Sequence, residues 1–219
     1  MCGRFAFYSP AEATAALFGV TNAPAVEPRY NIAPTQYIAA IRANEQGEKQ
    51  LVMLRWGLVP FWAKDPSIGA RMINARAETV AEKPSFRVAF KKRRCLVLAD
   101  GYYEWQRSGE VKIPWFISRS DEQPMAFAGL WESWQDPGST SPLETVTIIT
   151  TEADEFLARL HHRMPLILAP EQAQTWLQPD SMLPETSAAL RAWPVDRRVN
   201  NARNEGAELI EPAGEALSA

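Results

Sequence analysis

Five short apolar runs constrain the fold of this chain more than any other feature: residues 51–55, 95–99, 113–118, 125–130 and 145–150. Each is rich in Val, Ile, Leu or aromatic residues and bounded by turn-forming or charged positions, so each is predicted as a strand. Helices do not alternate regularly with them, as parallel βαβ units would require. The pattern predicts an α+β fold with a barrel-like, mostly antiparallel sheet core and peripheral helices. A first helix is expected at about 10–18, where Ser9-Pro10-Ala11-Glu12 reads as a capping box and Gly19 as a stop. Further helices are expected near 84–92, 152–160, 170–178 and 185–191, and DPGSTSP at 136–142 reads as a surface loop. With short linkers, the 219 residues are expected to form one domain, its core at about 1–194 and a looser tail over 195–219.

Composition removes several classes. At 46% hydrophobic and 22% charged residues, the chain is neither disordered nor fibrous. Nowhere does it approach 18 consecutive apolar residues, which excludes a transmembrane helix and leaves no membrane partner. The first residues lack a charged segment followed by an apolar one, so no secretory signal is expected. Cys2 and Cys95 are too few for a disulfide framework and read as reduced thiols of a cytoplasmic protein. With only His161 and His162 beside them, a Cys/His zinc site is not expected. Net charge is −3, but residues 55–94 alone carry +7 while residues 95–219 carry −10. That asymmetry fits a protein that follows phosphates along one face, although a solvated basic surface would produce it too.

Cys2 carries the first distinctive chemistry. Loss of Met1 would leave a terminal residue with an α-amine and a thiol on adjacent carbons. The amine, with a reference pKa of about 8, keeps a useful neutral fraction at pH 7. It can form a Schiff base with an aldehyde, onto which the thiol closes as a thiazolidine. The same group could instead be an acyl-transfer nucleophile with its own amine as base, or an ordinary buried cysteine. Glu104, between Tyr103 and Trp105 at the end of a strand-turn segment, is a general acid/base candidate if burial raises its pKa. His161, His162 and Arg163 together suit proton transfer near an anion. RWGLVPFWAKD at 55–65 mixes cations with Phe61 and Trp62 on a Gly/Pro-kinked loop, which suits base stacking beside phosphate. Trp56 reads equally as core or surface, KKRR at 91–94 as a solvated helix end or nonspecific phosphate contact, and Cys95 as a buried thiol.

Taken in order, MCGRF at 1–5, RYNIAPTQ at 29–36, RWGLVPFWAKD, INARAET at 73–79, CLVLADGYYEW at 95–105, FAGLWE at 127–132, TIITTEA at 147–153 and HHRMPLIL at 161–168 resemble the SRAP family. These are the SOS-response-associated peptidase domains, also described as abasic-site processing proteins. The tail NNARNEGAELIEP is similar to the family's closing segment. The resemblance implies a single-stranded-DNA-binding protein, acting as a monomer, that joins covalently to abasic sites, including those at junctions with a single-stranded side. It implies Cys2 as nucleophile after Met1 removal, Asn74 orienting the Cys2 amine, Glu104 as acid/base and His161 as the proton-transferring histidine, with His162 at the variable position of H-x-R-M-P. It places Arg4, Asn31, Arg76, Thr150 and Arg163 among the DNA contacts and Phe61 with Trp62 at the bases. No metal or organic cofactor is implied. The competing readings are an N-terminal-nucleophile glutamine amidotransferase, a non-covalent single-stranded-DNA-binding module, and a protease acting on other proteins. Cytoplasmic action near the nucleoid during DNA damage is the expected location.

Overall fold

In the structure, a computed structural model, residues 2–217 other than 137, 180 and 187 are described. The chain opens with β1 (Phe5–Phe7), α1 (Ala11–Leu17), β2 (Arg29–Ile32), β3 (Tyr37–Ala43) and β4 (Lys49–Trp56). Then come β5 (Asn74–Arg76), α2 (Arg87–Lys92), β6 (Arg94–Ala99), β7 (Gly101–Ser108), β8 (Val111–Arg119) and β9 (Met125–Trp134). It continues through β10 (Leu143–Glu152), α3 (Glu155–Ala158), β11 (Arg163–Pro165), β12 (Ile167–Leu168), α4 (Pro170–Trp176) and β13 (Leu190–Pro194). Every one of the five apolar runs lies inside a strand.

Five strands close into a ring. β10 pairs β4, β4 pairs β3, β3 pairs β6, β6 pairs β9, and β9 returns to β10. Within the ring the β10–β4 contact is parallel and the other four are antiparallel, so the expected α+β barrel with a mostly antiparallel core is what forms. The far half of β10 leaves the ring and pairs β5 and β11 instead. A second sheet, ordered β13-β8-β7-β1-β2, packs on the barrel. Its link to the barrel is aromatic: the ring of Phe5 meets Trp56 at 5.2 Å and Phe127 at 6.0 Å, both edge-on. Trp56 is therefore core, fully buried, with its indole N–H on the Ile73 carbonyl at 2.9 Å. Burying three aromatic rings stabilises the junction by several kcal/mol on an area scale of roughly 25 cal/mol per Å². It also fixes β1, and with it the residues just before Phe5.

One glycine pair lets the 57–72 loop fold back on itself. Gly57 has φ +122°, and a Cβ there would lie 2.5 Å from the Gly69 carbonyl oxygen. No other residue fits this approach.

Several local expectations change. Ser9 does not cap α1; its hydroxyl and main-chain N–H, with the Tyr8 N–H, all donate to buried Asp100 at 2.5–2.8 Å. The three bonds tie β1 to the end of β6, a gain the helix end cannot match. Gly19 does end the helix segment, at φ +83°. The helix expected over 152–160 shrinks to α3 because β10 runs on to Glu152. At 185–191 no helix forms among the described residues (Ser187 lies outside them): Leu190 opens β13, paired to Arg119. An Ala-rich segment follows its sheet partner here rather than its helix propensity. The loop over 136–142 is as expected, with Pro137 outside the described residues. The tail is packed rather than loose through about 210: Val195, Val199 and Leu209 are buried, and the Trp193 indole donates to the Ile210 carbonyl at 2.7 Å. Apolar anchors spaced along a polar segment hold it down.

Candidate active site

β1 runs antiparallel to β7, with Phe5 opposite Tyr102 and Ala6 opposite Gly101. The Tyr103 N–H on the Arg4 carbonyl at 2.9 Å carries that register one step further, which sets the Cys2–Gly3 segment across from Glu104. Glu104 thus sits inside a strand, not at its end as the sequence suggested, and is 5% exposed. From a third direction β5, held on β10 through Ile148 opposite Asn74, delivers the Asn74 carboxamide. Its Nδ2 donates to the Cys2 carbonyl at 2.8 Å, and its Oδ1 is buried with no hydrogen-bond partner. Met1, whose removal the resemblance implies, lies outside the described residues.

Burial governs the electrostatics at this point. Burial pushes the fully enclosed Cys2 thiol well up, the Glu104 charge adds to this, and the Arg4 main-chain N–H on the sulfur opposes it. Burial likewise raises the Glu104 carboxyl above the usual carboxylate range. A carboxyl raised in this way holds its proton to a higher pH than an ordinary carboxylate, which suits general acid/base work. His161 stacks on His162 with ring centroids 4.4 Å apart. Burial lowers the His161 pKa. Its Nδ1 lies 3.0 Å from the Arg163 N–H and 3.1 Å from the Arg163 carbonyl oxygen. A neutral ring can accept from the N–H, and a protonated ring can donate to the carbonyl, so both protonation states are supported.

The presumed DNA contacts divide in two. Arg76, Phe61 and Trp62 are exposed, the two aromatic rings by about half. Arg4 is partly exposed and heavily engaged: Nη1 donates to Asn31 Oδ1 at 2.7 Å and to the Val199 carbonyl at 2.8 Å, and the guanidinium lies 5.8 Å from the Trp105 ring. Asn31, Thr150 and Arg163, also expected among the DNA contacts, are buried and engaged within the protein. Asn31 has no exposed surface, and its amide nitrogen serves the carbonyls of Val199, Asn201 and Asn204. Thr150 has none either, and its carbonyl accepts from Arg163 at 2.7 Å. Arg163, 7% exposed, forks onto Glu78 at 2.7 and 3.0 Å, which pulls the Glu78 carboxyl below its usual range. Sequence reasoning passed over Glu78, although it stands inside INARAET, and the asparagines of the tail, whose roles depend on contacts across 85 and about 170 residues.

A barrel domain thus buries its second residue, a cysteine, beside a carboxyl and a carboxamide. The family model described as SOS response associated peptidase (SRAP) matches residues 1–202, and the chain belongs to that family. It is 42% identical over 224 residues to the abasic site processing protein YoaM of Bacillus subtilis, covering 96% of this chain and 98% of that one. Against the abasic site processing protein YedK of Escherichia coli the identity is 34% over 228 residues, covering 97% and 100%. A crystal structure of a protein from Bacteroides thetaiotaomicron superposes with a TM-score of 0.85 at 27% identity, covering 97% of this chain and all of that one.

Proposed function

We propose that this protein processes abasic sites by binding single-stranded DNA and capturing the ring-opened sugar on Cys2. The observation that carries the reading is the Cys2–Asn74–Glu104 cluster: a buried thiol whose own carbonyl accepts from Asn74, beside a buried carboxyl with a raised pKa. The names of the relatives agree with it.

The chemistry balances without an outside reagent. Once Met1 is hydrolysed away, the Cys2 amine adds to the abasic aldehyde, and the resulting carbinolamine loses its hydroxyl as water to give an iminium. Asn74, with Nδ2 on the Cys2 carbonyl and Oδ1 unpartnered, has a free acceptor for the amine N–H. Glu104 gives the proton that lets the hydroxyl leave as water. Nitrogen keeps its hydrogen, so the electrophile is an iminium. Glu104 then takes the thiol proton as sulfur attacks the iminium carbon, which closes the neutral thiazolidine and regenerates the Glu104 acid. Burial keeps Cys2 as a neutral thiol until that transfer, so a raised carboxyl nearby is the appropriate base. His161 exchanges protons at the opened sugar. The closed ring hides the aldehyde and so blocks β-elimination and strand cleavage. Glu104 also assists Met1 release, the peptidase part of the reading. Arg4 and Arg76 meet phosphates, and Phe61 with Trp62 stack on bases.

Incubating the mature protein with a single strand that contains one abasic site, then heating in detergent, tests this. A heat-stable adduct is expected; free DNA alone would refute the covalent reading.

A further inference from the structure

Immediately past Glu104, β7 contributes Trp105, Gln106 and Arg107 to one wall of a cleft of about 510 Å³, whose other wall is Arg159, His161 and His162. The walls are tied together by the Gln106 Nε2 donating to the Arg159 carbonyl at 3.0 Å. Trp105 is held in place by its indole N–H on Asn200 Oδ1 at 2.7 Å, and the guanidinium of Arg4 lies 5.8 Å from its ring. Arg107, Arg159 and His162 are exposed, and no carboxylate lines the space. His161 is therefore shared: it belongs to the Cys2 site and also forms part of this second wall.

We propose that the cleft seats one of the two nucleotides that flank the abasic sugar, with its phosphate between Arg107 and Arg159 and its base against the rings of Trp105 and His162. The inference rests on the abasic-site reading and adds a subsite to it. Three features favour a nucleotide. Two cations and an imidazole at an open rim suit a phosphodiester. Aromatic faces beside cations suit an unpaired base, which any sequence can supply. The volume falls in the range of small-ligand sites and accommodates one nucleotide. A strand whose phosphate meets Arg4 and whose sugar meets His161 passes Trp105 on its way, so the cleft lies on the path the reaction already requires.

The test uses oligonucleotides carrying a tetrahydrofuran abasic analogue, which cannot form an imine, flanked on both sides, on the 5′ side only, or on the 3′ side only. Binding by fluorescence anisotropy is compared between the wild type and Arg107→Gln combined with Arg159→Gln. The variant is expected to bind the two-sided oligonucleotide and one of the one-sided ones about tenfold more weakly. On those two, the slope of log affinity against log salt should fall by about 0.7, the value for one lost single-strand phosphate contact. On the other one-sided oligonucleotide it should match the wild type. Equal affinity on all three, or the same loss on both one-sided strands, overturns the proposal. Because the analogue is unreactive, the result does not depend on Cys2 chemistry. Failure of the wild type to form an adduct with natural abasic DNA would strike the functional reading instead.

Discussion

Replacing Glu104 with glutamine separates chemistry from folding, because the two should move in opposite directions. Glutamine keeps the shape and most of the hydrogen-bonding capacity of the side chain but can neither take nor give a proton in this range. Removing a positioned general acid/base costs about 10²- to 10⁴-fold in rate, or about 3 to 5 kcal/mol of barrier. Stability should not fall with it. The Glu104 carboxyl is 5% exposed and its pKa is raised, chiefly by burial. Between the unfolded value, about 4.3, and the raised folded value, the unfolded chain gives up its proton and the folded chain keeps it. Stability therefore declines as pH rises through that window and stays lower above it, a loss Glu104→Gln does not suffer. The assay is single-turnover adduct formation on a denaturing gel at pH 7 to 8, with both proteins produced already lacking Met1, beside thermal unfolding of each. Adduct formation should slow at least a hundredfold while the unfolding temperature stays level or rises. A rate within threefold of wild type, or a rate loss that merely tracks a lower unfolding temperature, would refute the acid/base assignment.

His161→Ala should slow adduct formation far more than it weakens binding, whereas His162→Ala should leave the rate within about threefold; the reverse order, measured on the same gel, would put the proton-transferring ring at 162. Asn74→Ala removes the 2.8 Å bond to the Cys2 carbonyl, and at about 0.5–1.5 kcal/mol for one hydrogen bond should slow capture roughly two- to tenfold without changing strand affinity by anisotropy. Phe61→Ala with Trp62→Ala removes two half-exposed rings and should weaken single-strand binding by about 1–3 kcal/mol per stacked base while the unfolding temperature holds. Affinity for single strands should fall steeply with salt, and it should exceed affinity for intact duplex at one ionic strength.

Four of the five barrel strands, all but β3, were legible as apolar runs, as with Cys95–Ala99 in β6, which is buried throughout. The short strands were not. RYNI in β2, NAR in β5 and RMP in β11 are short and polar, and they become strands only through their partners, β1 for the first and β10 for the other two. Capping followed the same logic: Ser9 sits in a good helix-start pattern, yet Asp100, 91 residues away, offers it more. At the site, the residue types of Cys2, Asn74, Glu104 and His161 were visible, and the structure brings Asn74 and Glu104 to Cys2. Burial was not visible. Asn31 and Arg163 look like surface contacts in a motif, but each satisfies groups from another segment, Val199 to Asn204 for the first and Glu78 for the second. A polar residue within a short motif has the same letter whether it faces solvent or a buried carbonyl.

The central claim is that Cys2, through both its amine and its thiol, makes the bond to DNA. Abasic single strand is incubated with wild type, Cys2→Ser, Cys95→Ala and a form that retains Met1, then heated in denaturant with and without prior borohydride, and each adduct is weighed intact. Wild type and Cys95→Ala should give a heat-stable adduct without reductant, whose mass is protein lacking Met1 plus DNA less one water. Cys2→Ser should give an adduct only after borohydride, and the Met1-retaining form no stable ring. A heat-stable adduct from Cys2→Ser without reductant, or its loss in a folded Cys95→Ala, would contradict the account.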